Sequence, residues 1–367
     1  MVTGYLRRAY SSFTSHVVDI PPRLLAMMLF LFLLVLPVAK LNPYYLSMLI
    51  AANVLAIFAA SWDLLVGRTG LISLGHALFF GIGGYSTALL FKYFGLPLWV
   101  TIPIAVLIGV GVAFAIGFPC LRVKGPYLAL VTMAFPIILS RIVKWSPLSD
   151  VFGGEFGIRR LPAFFSFLPI RQARIAEYYL TLSLLFICSI ILYKVANSKT
   201  GIVFISILDD EVAAKASGIN ITKYKLMAFG ISGLFGSLAG CLQTHLLKVA
   251  SPPMFDLTLS FLPIVVTFLG GIGTIYGPIL GAYIYYILDR YVLADLLPSL
   301  VDLPSEFDYA KLMIFTIIVV ILVIKWPRGL ARYTTDKLQD LEEARDIDER
   351  GPRIWKKYRK QVKNGQS

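Results

Sequence analysis

Apolar residues along this chain fall into ten runs separated by short polar stretches. The runs lie near residues 24–39, 44–66, 71–92, 98–118, 127–143, 178–195, 225–247, 257–270, 276–293 and 310–325. A helix needs about 20 apolar residues to cross a hydrocarbon core about 30 Å thick, and most of the runs approach that length. The first follows Pro21-Pro22 and has no clear cleavage site after it, so it predicts a retained helix rather than a signal peptide. The eighth is short and ends in Gly270-Gly271, which predicts either a broken or tilted helix or one half of a longer helix with the ninth.

The distribution of charge predicts the topology, because cytoplasmic loops collect Lys and Arg. The amino-terminal tail (1–23) and the carboxy-terminal tail (327–367) are both basic, so both termini are predicted to be cytoplasmic and the number of crossings to be even. The acidic stretch from Asp289 to Asp308 belongs outside, which requires a crossing on each side of residues 270–275. Ten membrane segments within a transmembrane domain at 24–326 satisfy these conditions. The loop at 144–177 then lies outside, and the segment at 199–225 lies inside.

Composition supports a membrane protein and excludes three other classes. Of the 367 residues 57% are hydrophobic and 15% are charged, with a mean hydropathy of +0.76. Soluble domains, disordered chains and nucleic-acid-binding proteins are all more polar. The net charge of +13 has a local origin, since twelve of the 34 basic residues lie between Lys325 and Lys363. The predicted fold class is an all-α polytopic membrane protein with about ten transmembrane segments, some of them short or broken.

The end of the carboxy-terminal tail has two interpretations. Between Arg350 and Lys363 it carries seven basic residues and no acidic ones, with Trp355 and Tyr358 interleaved. Basic and aromatic side chains of this kind suit the surface of an anionic membrane, so contact with membrane lipids is one prediction. The alternative is a solvated tail whose charge only sets the topology.

Two membrane stretches are rich in glycine, one in each half of the chain. They are residues 67–90 and 268–286. Small residues let helices pack closely, and paired interrupted segments are also typical of inverted repeats that flank a translocation path. Both interpretations stay open, and an inverted repeat is predicted. The candidate path residues are Gly70, Gly75, His76, Gly81, Gly271, Gly273 and Gly277.

Few ionisable residues lie at membrane depth. Asp63 is close to Arg68, and an ion pair between them is the expected structural outcome. His76 is interpreted as a hydrogen-bonded packing residue, with a substrate ligand as the alternative, because intramembrane ionisable groups are often functional. A proton- or sodium-coupled carrier usually needs several buried carboxylates or a cation site. The small number of buried carboxylates therefore argues against this class. The spacing of the three cysteines (Cys120, Cys188, Cys241) fits neither a metal site nor a disulfide framework, so they are predicted to be buried small side chains. No metal site is predicted.

The polar segment between the sixth and seventh runs predicts a compact helix–turn–helix. Residues 209–217 are charged and rich in Ala, with acids in the first turn, where they suit the positive end of the helix dipole. Gly218 follows as a helix stop. A short, rigid helix pair on the cytoplasmic face could be a connector, or it could receive force from a soluble partner.

Several ordered motifs resemble the permease subunits of branched-chain amino acid ABC transporters, specifically the second, longer permease type. They are residues 67–90, GPYLALVTMAF at 125–135, GGEFGI at 153–158, the segment around Gly218, LGGIGTIYGPILGA at 269–282 and PRGL at 327–330. The resemblance covers residues 41–330 or so. It implies that the polar segment is similar to the coupling helix that contacts an ATPase subunit. The coupling residues implied are Asp209, Asp210, Glu211, Ala213, Ala214 and Gly218.

The resemblance also implies partners and a location. They are two ATP-binding cassette subunits, a second permease chain that forms a heterodimer with this one, and an extracytoplasmic substrate-binding protein, all at the cell membrane. The chain has no GxxxxGK[ST] loop and no Gly-Lys dipeptide, so ATP and Mg²⁺ are expected on the partner subunits and this chain is not predicted to be an enzyme. Urea or short amides are alternative solutes. An ion-coupled secondary transporter and a membrane enzyme acting on lipid-linked substrates are the less favoured classes.

Overall fold

A computed structural model describes residues 30, 33–34, 42–123, 125–289, 317 and 324–325. The first and tenth apolar runs, the acidic stretch after Asp289 and the basic tail therefore lie outside the described residues, apart from these few positions. The described chain is helical. Its helices are α1 (Pro43–Thr69), α2 (Ala77–Phe94), α3 (Leu98–Cys120), α4 (Pro126–Lys144), α5 (Ser149–Phe152), α6 (Ile170–Ala196), α7 (Lys199–Asp209), α8 (Glu211–Ala216), α9 (Ile221–Leu247), α10 (Leu257–Gly270) and α11 (Tyr276–Tyr286).

Five of these helices, α1, α3, α4, α6 and α9, are long and apolar enough to cross a membrane. Their positions agree with the second, fourth, fifth, sixth and seventh apolar runs. The described part therefore confirms an all-α polytopic membrane protein. The count of ten segments, the inverted repeat and the location of the termini stay predictions.

Helix α1 is the centre of the bundle. It begins at Pro43, whose fixed φ suits the first helical position, and the Asn42 side chain caps it by accepting a hydrogen bond from the Tyr44 amide. Nearly all of its residues from Leu49 onward are buried, including Phe58 and Trp62, because α6, α9, α10 and α11 all pack against it. A membrane helix enclosed on all sides is positioned by its neighbours rather than by lipid.

Helix α9 connects two ends of the described bundle. It packs against α1, α2 and α3 over its 27 residues, which correspond to a length of about 40 Å. The short helices α7 and α8 precede it at one end, which we call the coupling end. At the other end β2 (Val249–Ala250) follows it and pairs antiparallel with β1 (Ile158–Arg159), and we call this the ladder end.

Two boundaries differ from the sequence predictions. The third run was predicted as helix from residue 71, but α2 begins only at Ala77. The sixth run was predicted from 178, but α6 begins at Ile170, so the predicted loop at 144–177 ends at Pro169. Polar residues in the first turns of α6 concealed this start, and the structure accommodates two of them as an ion pair between Arg174 and Glu177 at 2.9 Å.

The eighth and ninth runs form separate short helices, so the alternative of one long helix is wrong. Helix α10 has 14 residues, which span about 21 Å, less than the hydrocarbon thickness. The prediction of a short or broken eighth segment is confirmed. The three cysteines are free and buried, as predicted.

Candidate functional site

The first glycine-rich stretch contains a non-helical segment inside the protein. Gly70 ends α1 with φ of 70°, and the chain then turns back along α1 until α2 begins. The Trp62 indole donates to the Ser73 carbonyl at 2.9 Å, and the Thr132 hydroxyl accepts from the Leu74 amide at 3.2 Å. Irregular backbone at membrane depth is tolerated only where protein or a cavity satisfies it. We call residues 70–76 the broken segment.

His76 is the last residue of the broken segment and is fully buried. Its Nε2 lies 2.8 Å from the Ser61 hydroxyl, which itself donates to the Phe58 carbonyl at 2.7 Å. When the Ser61 proton is used in that way, Nε2 donates to Ser61 and Nδ1 carries the lone pair. Among the described residues, Nδ1 has no hydrogen-bond partner. In this conformation His76 is hydrogen-bonded to Ser61 and its ring lies against Phe79, and its role as a packing residue or as a substrate ligand stays a prediction.

The start of α2 lies well inside the bundle. Ser61 is eight residues before the end of α1, or about 12 Å along its axis, and His76 lies beside it. The first amide of α2, that of Ala77, donates to the Ser260 hydroxyl of α10 at 3.1 Å. A side chain from another helix therefore caps α2, and this links α2 to the helix that leads into the second glycine-rich stretch.

The second glycine-rich stretch comprises the end of α10 and all of α11, and these two helices form a helical hairpin. A Cβ atom at Gly270 would lie 1.7 Å from the Gly277 carbonyl oxygen, and one at Gly281 would lie 2.0 Å from the Val266 oxygen. These pairs run in opposite directions along the chain, so the two helices are antiparallel with their backbones in contact. Their connection, residues 271–275, is the hairpin tip, and we use that name below.

Asp63 fastens the hairpin tip to α1. Its Oδ1 accepts a hydrogen bond from the Gly273 amide at 2.6 Å, and its Oδ2 accepts one from the Ile275 amide at 3.1 Å. Hydrogen bonds to an ionised group are roughly twice as strong as neutral ones. The expected Asp63–Arg68 ion pair is wrong, because in the described residues the carboxylate is occupied by backbone amides instead. Ile275 has φ of 59°, an unusual conformation for a β-branched residue.

The predicted path residues are packed against other parts of the protein. A Cβ atom at Gly75 would lie 1.8 Å from the Thr132 oxygen, and one at Gly81 would lie 2.2 Å from the Phe255 ring. Gly70 lies against Leu208, Gly277 lies against the Gly271 carbonyl, and Gly273 lies near the Gly67 carbonyl. The helix-packing interpretation of the glycines is therefore supported in this conformation. Their role in a path stays a prediction.

The coupling end presents α8 as a short exposed helix. The Asp210 side chain caps it by accepting from the Val212 and Ala213 amides, at 2.8 and 3.0 Å. Asp209 ends α7, so the helix predicted within residues 209–217 is shorter than that range and begins at Glu211. Only Ala214 is buried, and Val212 is 78% exposed. Glu211 forms an ion pair with Lys225 of α9 at 2.6 Å.

Gly218 stops α8 as predicted. Its φ is 82°, its amide donates to the Lys215 carbonyl, and the Ile219 amide donates to the Ala214 carbonyl. This pair of hydrogen bonds is a Schellman motif, which favours glycine at the left-handed position. A Cβ atom there would meet nothing within 4 Å, so the requirement for glycine is one of backbone conformation alone.

Several residues at this site were not selected from the sequence. Ser260 and Thr132 hold the broken segment, but a single hydroxyl in an apolar run carries no signal of its partner. Asp63 was recognised as a buried acid and assigned the wrong partner, because the nearer basic residue in sequence was Arg68. Gly67 contacts the hairpin tip and lies within the first glycine-rich stretch.

Comparisons with known proteins agree on one kind of protein. The family model described as "Branched-chain amino acid transport system / permease component" matches residues 44–322. The high-affinity branched-chain amino acid transport system permease protein LivM of Salmonella typhimurium is 29% identical over 306 residues, which are 77% of this chain and 69% of LivM. A probable LivM of Methanocaldococcus jannaschii is 23% identical over 74% of this chain and 84% of its own length.

A more limited match involves a sugar permease. The xylose transport system permease protein XylH of Escherichia coli K12 is 31% identical over 102 residues, which are 26% of this chain and 24% of XylH. No solved structure matches the chain.

Proposed function

Because the chain belongs to the family of branched-chain amino acid transport permeases, we propose that it forms part of the membrane path of an ATP-driven importer. The protein is a multi-pass protein of the cell membrane, and its relatives are transport permeases. The proposed solutes are branched-chain amino acids, delivered by an extracytoplasmic binding protein. Two ATP-binding cassette subunits would hold ATP and Mg²⁺, and a second, related permease chain would complete the path as a heterodimer.

The exposed helix α8 carries this proposal. It offers Val212, Ala213 and Lys215 to a partner while Ala214 fastens it to the protein. An ATPase subunit would bind this face, with Asp209, Asp210 and Glu211 at its start and Gly218 at its end. The Glu211–Lys225 ion pair ties α8 to α9. A force applied to α8 would therefore reach a helix that contacts most of the bundle.

Helix α7 gives α8 a second connection, to the broken segment. It packs against α1, α6, α8 and α9, and its Leu208 side chain lies beside Gly70, where the broken segment begins. Movement of α7 would press on Gly70 and so on the segment that leads to His76. This is a short physical route from the coupling end to the interior of the bundle.

The broken segment and the hairpin tip are the proposed moving parts of the path. Discontinuous helices at membrane depth are typical of transporter binding sites. The Asp63 hydrogen bonds hold the hairpin tip against α1 in this arrangement. ATP binding by the partner subunits would shift the population toward an arrangement in which these elements separate, because the partners bind the two states with different affinity.

The test is uptake by the assembled complex in proteoliposomes. With ATP enclosed and the binding protein outside, we expect uptake of labelled leucine, isoleucine and valine, and none when ATP or the binding protein is omitted. Collapse of proton and sodium gradients should leave the rate unchanged. Uptake of urea or acetamide in place of leucine would assign the alternative solute. Uptake that follows an ion gradient without ATP would overturn the proposal.

A further inference from the structure

The motif GGEFGI at 153–158 forms a tight turn for which the proposed function has no use. Its three glycines have φ of 80°, 59° and 69°, a region that favours glycine. A Cβ atom at Gly157 would lie 2.1 Å from the Ala250 carbonyl oxygen, so the turn packs directly against β2. This backbone places Glu155 and Phe156, both exposed, beside the end of α9.

The turn, the ladder and the end of α9 line an open cleft of about 510 Å³. Binding sites for small molecules have volumes of about 300–1,000 Å³. The lining combines apolar side chains with one carboxylate and two cations. These residues are Phe156, Leu247, Pro253, Glu155, Arg159 and Lys248. We call this space the outer cleft.

The opposite charges in the outer cleft do not neutralise each other. Among the described residues, Glu155 forms no ion pair within 4 Å with Arg159 or Lys248. The Arg159 side chain is held on its own side, because its Nε donates to the Phe156 carbonyl at 3.3 Å and its guanidinium lies 5.0 Å from the Phe156 ring. The Glu155 carboxylate and the Arg159 cation are therefore both available to a ligand.

Lys248 is the second available cation. It ends α9 with φ of 59°, a left-handed conformation that costs free energy in a residue other than glycine and is common at binding sites. Lys248 attracts the Glu177 carboxylate at longer range, but Arg174 donates to that carboxylate at 2.9 Å. The strained backbone thus presents an ammonium group to the outer cleft that no acidic side chain binds among the described residues.

The chemistry of this lining selects one class of ligand. A carboxylate only accepts hydrogen bonds, whereas Arg and Lys only donate them. A ligand that satisfies both needs an ammonium group and a carboxylate, and the apolar lining suits an apolar side chain next to them. A simple anion would leave Glu155 without a partner and would be repelled by it. Urea and short amides carry no charge for either side.

We propose that the outer cleft binds a free branched-chain amino acid, with Glu155 binding its ammonium group and Arg159 and Lys248 binding its carboxylate. This inference rests on the proposed function, which supplies the solute. The cleft is open, and ion pairs in contact with water are weak. The site would therefore bind the solute weakly and release it readily, as suits a position ahead of the path.

The test measures binding of three small probes by saturation-transfer NMR. It uses the assembled complex in nanodiscs, without ATP and without the binding protein. The probes are L-leucine, 4-methylpentanoate, which lacks the ammonium group, and leucinamide, which lacks the carboxylate. We expect the wild-type complex to bind leucine about two- to fivefold more tightly than either analogue, the factor that an exposed ion pair contributes.

Two variants assign the charges to the two ends of the probe. Glu155→Gln should weaken leucine by about two- to fivefold and should not weaken 4-methylpentanoate. Lys248→Gln should weaken leucine and 4-methylpentanoate but not leucinamide. The matched control is Asp256→Asn, since Asp256 is an exposed acid at the ladder end that makes no side-chain cap and does not line the outer cleft. It should bind all three probes as the wild type does, and co-purified ATPase subunits check assembly.

Two results would overturn this inference and leave the proposed function intact. One is equal leucine affinity in the wild type, Glu155→Gln and Lys248→Gln while ATP-driven leucine uptake by the wild-type complex is normal. The other is binding of 4-methylpentanoate as tight as that of leucine, which would make the outer cleft a simple anion site. Absence of ATP-driven leucine uptake by the wild-type complex would instead count against the proposed function.

Discussion

At the scale of single residues, buried polar groups fasten the irregular parts of this protein. Asp63 holds the hairpin tip through two backbone amides, and Ser260 and Thr132 hold the start of α2 and the broken segment. A buried amide without a partner costs about 1–3 kcal/mol, so these side chains make the irregular backbone possible. Hydropathy identified the apolar runs, but it could not reveal which side chain would meet which amide, because such partners are up to 212 residues apart.

The contact between Gly67 and the hairpin tip gives a prediction with a matched control. A Cβ atom at Gly67 would lie 2.7 Å from the Gly273 nitrogen and 2.6 Å from Asp63 Oδ1. We expect Gly67→Ala to destabilise the protein by about 1–3 kcal/mol, because it overpacks a site bounded by backbone. Gly111 is also helical but has nothing within 4 Å, so Gly111→Ala should be neutral or stabilising by up to about 1 kcal/mol. Thermal unfolding of the purified variants measures both changes in stability. Equal unfolding midpoints for the two variants would contradict the close packing at Gly67.

At the scale of elements, the sequence predicted the regular helices and the break at 270–275, but it missed the irregular segment at 70–76. The runs that form α1, α3, α4 and α9 can only be helical. In lipid a long apolar stretch must form its backbone hydrogen bonds within itself, and a helix does this. Residues 70–76 and 271–275 are equally apolar and glycine-rich, but neighbouring helices satisfy their backbone instead. That outcome depends on tertiary contacts. Gly218 was predictable because a helix stop is a local feature.

Gly218 therefore gives the prediction for the coupling element. Its φ of 82° penalises a β-branched residue by about 1–2 kcal/mol, while the surrounding space is open. Gly218→Val should shift the end of α8 and lower ATP-driven uptake, with membrane insertion unchanged. Gly218→Asn is the control, because Asn tolerates this conformation and should retain most of the uptake. Wild-type uptake and ATPase association in the Val variant would show that the geometry of α8 does not matter for coupling.

At the scale of the whole molecule, the two ends of α9 have different tasks in the proposed mechanism. The coupling end would meet the ATPase subunits, and the ladder end would meet the binding protein. The chain is linked between them by α9, which contacts α1, α2 and α3, and by α7, which contacts Gly70. The proposed function consequently requires that the two ends lie on opposite sides of the membrane, with the coupling end inside.

Cysteine labelling in intact cells tests that orientation. Asp256 is exposed at the ladder end and makes no side-chain cap to α10, and Lys199 is exposed at the start of α7, so Asp256→Cys and Lys199→Cys should fold normally. Cys120, Cys188 and Cys241 are buried, which keeps their background reaction low. An impermeant maleimide should modify residue 256 in intact cells and residue 199 only after the membrane is opened. The reverse pattern would place α8 outside, where no ATPase could reach it, and would exclude the coupling role of α8.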